Sequence, residues 1–116
     1  MANYFSRKEL ECKCCGVCLI SDELLGRLNH AREIAGIPIV LNSAYRCEKH
    51  NDAVGGSPTS SHVRGKAVDI RITNNNQRFI ILNALLKAGF TRLGVGSNFI
   101  HVDCDEKKSQ NVIWTY

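Results

Sequence analysis

The chain has 116 residues, 44% of them hydrophobic and 22% charged, which is typical of one soluble globular domain. Its formal net charge of +4 suits an anionic partner, but the basic residues are too few and too scattered to indicate a nucleic-acid-binding protein. No apolar run approaches the roughly 20 residues that span a bilayer, so we expect no membrane span.

The N-terminal segment contains no apolar stretch of the kind found in signal peptides. We therefore expect synthesis in the cytoplasm without a signal peptide. From the length of the chain we expect a single domain over residues 1–116, and we expect a monomer. A domain of this size buries a modest core, to which a metal or a disulfide would add stability.

Six cysteines are present, and four of them lie within residues 12–18. They allow three interpretations: disulfides, a structural zinc at the C-x-x-C spacing, or reduced thiols packed under the first helix. No second C-x-x-C or H-x-x-x-H pair follows at zinc-finger spacing, and four ligands within seven residues leave the backbone little freedom. These points count against zinc, but the sequence does not decide among the three. The cysteines are Cys12, Cys14, Cys15, Cys18, Cys47 and Cys104.

In chain order, the first predicted element is a helix with its N-cap at Ser21 or Asp22 and apolar residues at helical spacing over 24–35. Gly36 ends it. Residues 39–41 are predicted as a short strand, and the polar, turn-rich segment 47–61 as a loop.

Alternation over residues 67–72 predicts a strand with Asp69 on one face. A second helix is predicted from the Asn74–Asn76 cap to Gly89, followed by strands at 92–96, 99–103 and 112–116. We therefore predict an α+β fold in which two main helices pack on a small, largely antiparallel sheet.

Three residues are candidates to hold a metal: His62 at the end of the loop, Asp69 in the first long strand and His101 in the strand 99–103. If the two strands are neighbours, Asp69 and His101 point into one hollow. Two imidazoles and one carboxylate, with a fourth position open to water, are typical of a catalytic zinc. The alternative is that the histidines are ordinary polar residues and Asp69 a charge at a strand edge.

The pattern S-x-H-x-x-G-x-A-x-D over residues 60–69 resembles the zinc-binding motif of the peptidase M15 family. Ser43-Ala44-Tyr45-Arg46 is similar to that family's S-x-Y-R segment, and residues 94–103 are similar to the strand that carries its third zinc ligand. The resemblance runs from about Phe5 to Trp114. It implies a Hedgehog/D-Ala-D-Ala peptidase-like fold.

The resemblance also implies roles for individual residues. One catalytic Zn²⁺ would be held by His62, Asp69 and His101. Arg46 would bind the terminal carboxylate of the substrate, a task that suits a planar guanidinium. Supporting polar groups around that pocket would be Ser43, Tyr45 and Ser60, each of which is equally well explained as a turn or capping residue.

The sequence departs from the family at Asn98, where several members have an acidic general base. The nearest remaining carboxylate is Asp103, on the same strand face as His101. We therefore predict Asp103 as the proton-transfer group. Its alternative role is to orient His101, and a third interpretation is that Asn98 marks a weakened or lost activity.

The function that the resemblance implies is zinc-dependent hydrolysis of peptides in bacterial peptidoglycan, as a D,D-carboxypeptidase or an endopeptidase. A phage or prophage endolysin that reaches the cell wall after release would fit a chain without a signal peptide. Two alternatives are a non-catalytic zinc domain that binds peptidoglycan or a protein, and a zinc-ribbon-like nucleic-acid binder built on the cysteine cluster.

Overall fold

The computed structural model describes residues 3–116, so the first two residues of the N-terminal segment lie outside the description. Within residues 3–116 the chain forms four helices and five strands, which confirms the predicted α+β class. The elements in chain order are α1 (Arg7–Leu10), α2 (Asp22–Ala35), β1 (Leu41–Ser43), α3 (Glu48–Ala53), β2 (Ala67–Arg71), α4 (Asn75–Lys87), β3 (Arg92–Val95), β4 (Phe99–Asp103) and β5 (Val112–Thr115).

The two long helices begin at the predicted capping residues, and α2 also ends at the predicted glycine, whereas α4 ends at Lys87 with Ala88 rather than Gly89 as its C-cap. At the start of α2, the Ser21 hydroxyl accepts a hydrogen bond from the Leu24 N–H (3.1 Å), and Gly36 ends the helix at a φ of +66°. At the start of α4, the Asn74 side chain accepts from the Gln77 N–H (2.8 Å).

The sheet is mixed rather than largely antiparallel, which corrects the prediction. Its strand order is β1-β2-β4-β3-β5, with antiparallel pairs except for β5, which lies parallel to β3 at the edge. After β4 the chain reverses direction, crosses over to the far side of β3 and forms β5 there. Alternation of apolar residues identifies strands but not their order, so this crossover could not be predicted.

One face of the sheet is covered by α2 and α4, which also pack on each other. Because side chains alternate across a strand, the residues between the buried positions of β2 and β4 point to the opposite face. Asp69 and His101 are such residues, and they are direct partners in the β2–β4 register. The main buried side chains of the core are Leu24, Leu28, Ile81, Leu85, Val68, Ile70, Ile100 and Val102.

Two local predictions were wrong. The segment 47–61 is not all loop, because α3 begins after Cys47. The first strand lies at Leu41–Ser43 rather than 39–41, since it pairs with β2 through an irregular register between Leu41 and Ser43. Among the described residues, no helix is long and apolar enough to cross a membrane.

Candidate metal centre

The candidate metal centre lies on the sheet face opposite the helices. Strands β2 and β4 present Asp69 and His101 side by side, and the turn before β2 presents His62. His62 is 2% exposed and the His101 side chain 12%, so both imidazoles are largely removed from solvent. The structure thus brings together the three residues predicted as metal ligands.

The turn that carries His62 depends on Gly65. Its φ is +70°, a conformation that favours glycine, and a Cβ added there would lie 1.8 Å from the carbonyl oxygen of Leu19. The Gly65 carbonyl accepts a hydrogen bond from the Ser21 N–H (2.8 Å). The glycine of the S-x-H-x-x-G-x-A-x-D pattern therefore allows the His62 turn to pack against the start of α2.

The potential ligand atoms are close enough to share one ion. His62 Nε2 lies 3.3 Å from Asp69 Oδ2, and His101 Nδ1 lies 3.0 Å from Asp69 Oδ1. One ligand atom from each residue falls within 4.8 Å of the others. Zinc bonds of about 2.0–2.2 Å to nitrogen and oxygen place tetrahedral ligands about 3.4 Å apart, so small shifts would complete the set.

The hydrogen bond of His62 to the main chain supplies a test of whether a cation fits. Its Nδ1 lies 2.8 Å from the Ala44 carbonyl oxygen, which can only accept, so Nδ1 carries the proton. In the neutral ring, Nε2 then directs a lone pair towards the Asp69 carboxylate, and this buried nitrogen has no hydrogen-bond partner. Two acceptors facing each other are unfavourable unless a cation lies between them. The residues therefore fit a divalent metal.

The charges at the site favour a cation as well. Burial alone would raise the pKa of Asp69, but its close contacts with His101 and then His62 lower it far below its usual range. Burial would lower the pKa of His101, whereas its hydrogen bonds with Asp103 and Asp69 raise it above its ordinary value. The carboxylate thus stays ionised and attracts positive charge.

Asp103 supports His101 from the side away from Asp69. Its Oδ2 accepts from His101 Nε2 (2.7 Å), and its Oδ1 accepts from Arg92 Nε (2.7 Å) and the Asp105 N–H (3.1 Å). The residue is 1% exposed. Burial raises its pKa, but the contacts with His101, Asp105 and Arg92 lower it overall. These contacts favour the second of the two roles considered for Asp103, the orientation of His101.

The predicted substrate-binding residues lie on the segments that border the metal centre. Ser43 pairs with Asp69 in the sheet, the Arg46 N–H donates to the His62 carbonyl (3.3 Å), and the Ser60 hydroxyl accepts from the His62 N–H (3.2 Å). Tyr45 is buried, and its N–H donates to the Leu10 carbonyl. Their roles towards a substrate stay predictions.

One residue that holds the site together, Asp105, was missed in the sequence. Asp105 is fully buried and joins the His62 turn to the C-terminal segment, because it accepts from Ser61 Oγ (2.8 Å) and pairs with Arg64. The Trp114 ring reaches across Gly94 and lies 5.6 Å from the His101 ring. The one signal in the sequence that could have pointed to buried charged residues at the site was a charge in an apolar strand pattern, such as Arg92 in β3.

An α+β domain that presents two imidazoles and one carboxylate from adjacent strands and a turn has the donor set of a mononuclear zinc protein. A family model described as Peptidase M15 matches residues 3–103, so the chain belongs to the peptidase M15 family. This membership supports a metallopeptidase, and hence a metal-binding hydrolase, in agreement with the candidate site. No curated protein matches the chain.

Proposed function

We propose that the protein is a zinc-dependent peptidase that cleaves stem peptides or cross-links of bacterial peptidoglycan, as a D,D-carboxypeptidase or an endopeptidase. The observation that carries the metal assignment is the buried, unpartnered Nε2 of His62 opposite Asp69. Family membership supplies the peptidase chemistry. The assignment to peptidoglycan rests on the resemblance of the sequence motifs and on the positive net charge, which suits an anionic wall.

His62 Nε2, Asp69 and His101 Nδ1 would hold the ion. When bound, zinc supplies a Lewis acid that polarises the scissile carbonyl and makes water acidic enough to attack near neutral pH. Asp69 contributes the negative charge that the ligand set needs, and the Ala44 carbonyl and Asp103 fix the orientation of the two rings.

Arg46 is the proposed recognition group for a substrate carboxylate. Its Nε is buried and has no hydrogen-bond partner, so the guanidinium keeps capacity for a ligand. Its N–H donates to the His62 carbonyl, so the Arg46 main chain lies next to that of a proposed metal ligand, which supports this role. Thr59, Arg64, Lys107 and Lys108 line a cavity of about 410 Å³. Arg64 and Lys108 lie against Asp105, so Lys107 is the lining cation that we propose for an acidic group of a stem peptide.

We predict that Arg46→Lys weakens cleavage of peptides that end in a free D-Ala-D-Ala carboxylate. Loss of a charged, two-point hydrogen bond costs about 1.5–3 kcal/mol, or roughly 10- to 150-fold in kcat/KM. The same peptide with an amidated C-terminus should lose far less. An equal loss on both peptides would show that Arg46 does not recognise the carboxylate.

The proposed activity is tested by digesting purified peptidoglycan with the zinc-loaded protein and identifying the products by mass spectrometry. Release of D-alanine would indicate a carboxypeptidase, and split cross-links an endopeptidase. His62→Ala should abolish either product, whereas His30→Ala, which removes an exposed imidazole in α2, should not. Release after phage-type lysis is part of the proposal, since a wall substrate requires an exit from the cytoplasm.

A second candidate function is a non-catalytic zinc domain that binds peptidoglycan or a protein partner. Asn98 favours it, because an amide cannot take a proton where several family members carry an acidic base. The burial and ion pair of Asp103 favour it too. Stoichiometric zinc without any product from wall preparations of differing stem chemistry would support this function over hydrolysis.

A further inference from the structure

A second group of potential ligands lies away from the metal centre, at the junction of the N-terminal segment and the start of α3. Three thiols of the segment 12–15 meet Cys47 there, and the four sulfur atoms fall within 4.8 Å of one another. Cys12 Sγ lies 3.6 Å from Cys14 Sγ and 3.7 Å from Cys47 Sγ. Cys14 Sγ and Cys47 Sγ are 3.3 Å apart.

These separations match a metal site better than a disulfide. Four sulfurs about 2.3 Å from a tetrahedral zinc lie about 3.8 Å from each other. A disulfide would bring one pair to about 2.05 Å, and all six cysteines have free thiols. Four sulfurs converge here, whereas disulfide formation would use them in separate pairs.

The main chain is shaped to hold the sulfur atoms. The Cys12 N–H donates to the Val17 carbonyl (2.7 Å) and the Gly16 N–H donates to the Cys12 carbonyl (2.8 Å), so the segment folds into a tight turn. Gly16 has a φ of +74°, which favours glycine. This turn directs three thiols to one side and leaves Cys18 outside the group, packed against the core.

Two N–H groups point at the sulfurs. The Cys47 N–H donates to Cys12 Sγ and the His50 N–H donates to Cys47 Sγ, both at 3.4 Å. Hydrogen bonds of this kind orient the ligands and stabilise thiolate charge around a metal. Cys12 is completely buried, while Cys14 and Cys15 are exposed and accessible to an incoming ion.

We propose that Cys12, Cys14, Cys15 and Cys47 bind a second, structural zinc ion, separate from the candidate catalytic metal. The objection raised by the sequence assumed that all four ligands come from residues 12–18. The fold replaces Cys18 by Cys47, which is 35 residues from Cys12 along the chain. Four thiolates in tetrahedral array are a closed zinc site without a position for water.

The position of this site suggests its task. Cys47 directly follows Arg46, and the Tyr45 N–H donates to the Leu10 carbonyl (3.2 Å), so the N-terminal segment is already joined to the S-x-Y-R segment. A zinc ion here would fasten the two segments together and hold Arg46 beside the metal centre. A chain of this size gains much from such a link, since metal binding contributes directly to folding.

The test is the zinc content of the purified, reduced protein by native mass spectrometry. We expect two zinc ions in the wild-type protein and in Cys18→Ser, and one in Cys14→Ser, Cys47→Ser and His62→Ala. Cys18→Ser is the matched control because it removes a thiol of the same segment. A zinc content that is the same in the wild-type protein, Cys14→Ser and Cys47→Ser would overturn the proposal, as would iron in place of zinc.

A second measurement covers the case in which the cysteine variants do not fold. His62→Ala loaded with Co²⁺ should show intense thiolate-to-cobalt absorption in the near ultraviolet, because its remaining site consists of sulfur alone. Cys47→His, which retains a zinc ligand, should keep two zinc ions and show weaker absorption. A cobalt spectrum without thiolate absorption, or an intact mass that shows the four cysteines oxidised, would refute the site. Neither result depends on peptidase activity.

Discussion

The role of Asp103 can be tested by Asp103→Asn, which exchanges a carboxylate for an amide of nearly the same volume. In the wild-type protein Asp103 Oδ2 accepts from His101 Nε2, so in the neutral ring the lone pair of His101 lies on Nδ1, facing Asp69. In the variant, the amide oxygen would take the position of Oδ1, because Arg92 Nε and the Asp105 N–H both donate there. The amide nitrogen would then take the position of Oδ2, against His101 Nε2.

That nitrogen can only donate, so the proton of His101 would move to Nδ1. The variant therefore removes the lone pair that would bind the metal, while the ring stays hydrogen-bonded. Loss of a partner that orients a ligand costs about 10- to 100-fold in metal affinity, which is about 1.4–2.7 kcal/mol. Zinc affinity and kcat/KM should both fall.

Affinity is measured by competition with a chromogenic chelator, and His62→Ala identifies which bound zinc belongs to this site. Glu106→Gln is the control, since it neutralises an exposed carboxylate three residues along the chain and should leave the affinity unchanged. If Asp103→Asn binds zinc like the wild-type protein but loses kcat, the orienting role is refuted. Asp103 would then be the proton-transfer group predicted from the sequence.

Two further predictions concern stability. Gly65→Ala should lower the free energy of unfolding, measured by urea titration, by at least about 2 kcal/mol, because it adds left-handed strain and a clash with the Leu19 carbonyl. The control is Gly26→Ala, which has open space around it in α2 and should raise the free energy of unfolding by about 0.5–1 kcal/mol. Equal effects of the two substitutions would contradict the packing argument. Burial raises the pKa of Asp105, but Ser61, the Lys107 N–H and Arg64 lower it overall. The ionised carboxylate therefore contributes to the free energy of unfolding at neutral pH, and this contribution is lost as the pH falls through the pKa of the folded state. Zinc-loaded Asp105→Asn should therefore be about 2 kcal/mol less stable than wild type at pH 7, and the difference should shrink below about pH 4; a difference independent of pH would contradict the assignment.

The sequence was sufficient for the elements that rest on local rules. Ser21 and Asn74 cap the two long helices as predicted, and alternation located β2 and β4. The same alternation placed Asp69 and His101 on faces that could meet, and the register then set them opposite each other.

Features that depend on long-range pairing could not be predicted. The parallel contact of β5 with β3 comes from a chain crossover, and the approach of Cys47 to residues 12–15 comes from the packing of distant segments. Asp105 follows the predicted strand 99–103 without a local pattern, although it is fully buried against Ser61. Local spacing carries no information about such contacts.

The most direct test of the metal centre is anomalous diffraction at the zinc absorption edge from crystals of the zinc-loaded protein. We predict a peak about 2.0–2.2 Å from His62 Nε2, His101 Nδ1 and a carboxylate oxygen of Asp69. The same peak should be missing in His62→Ala. A wild-type structure without zinc among these three residues, or with the ion bound to His101 Nε2 instead, would contradict the proposed site.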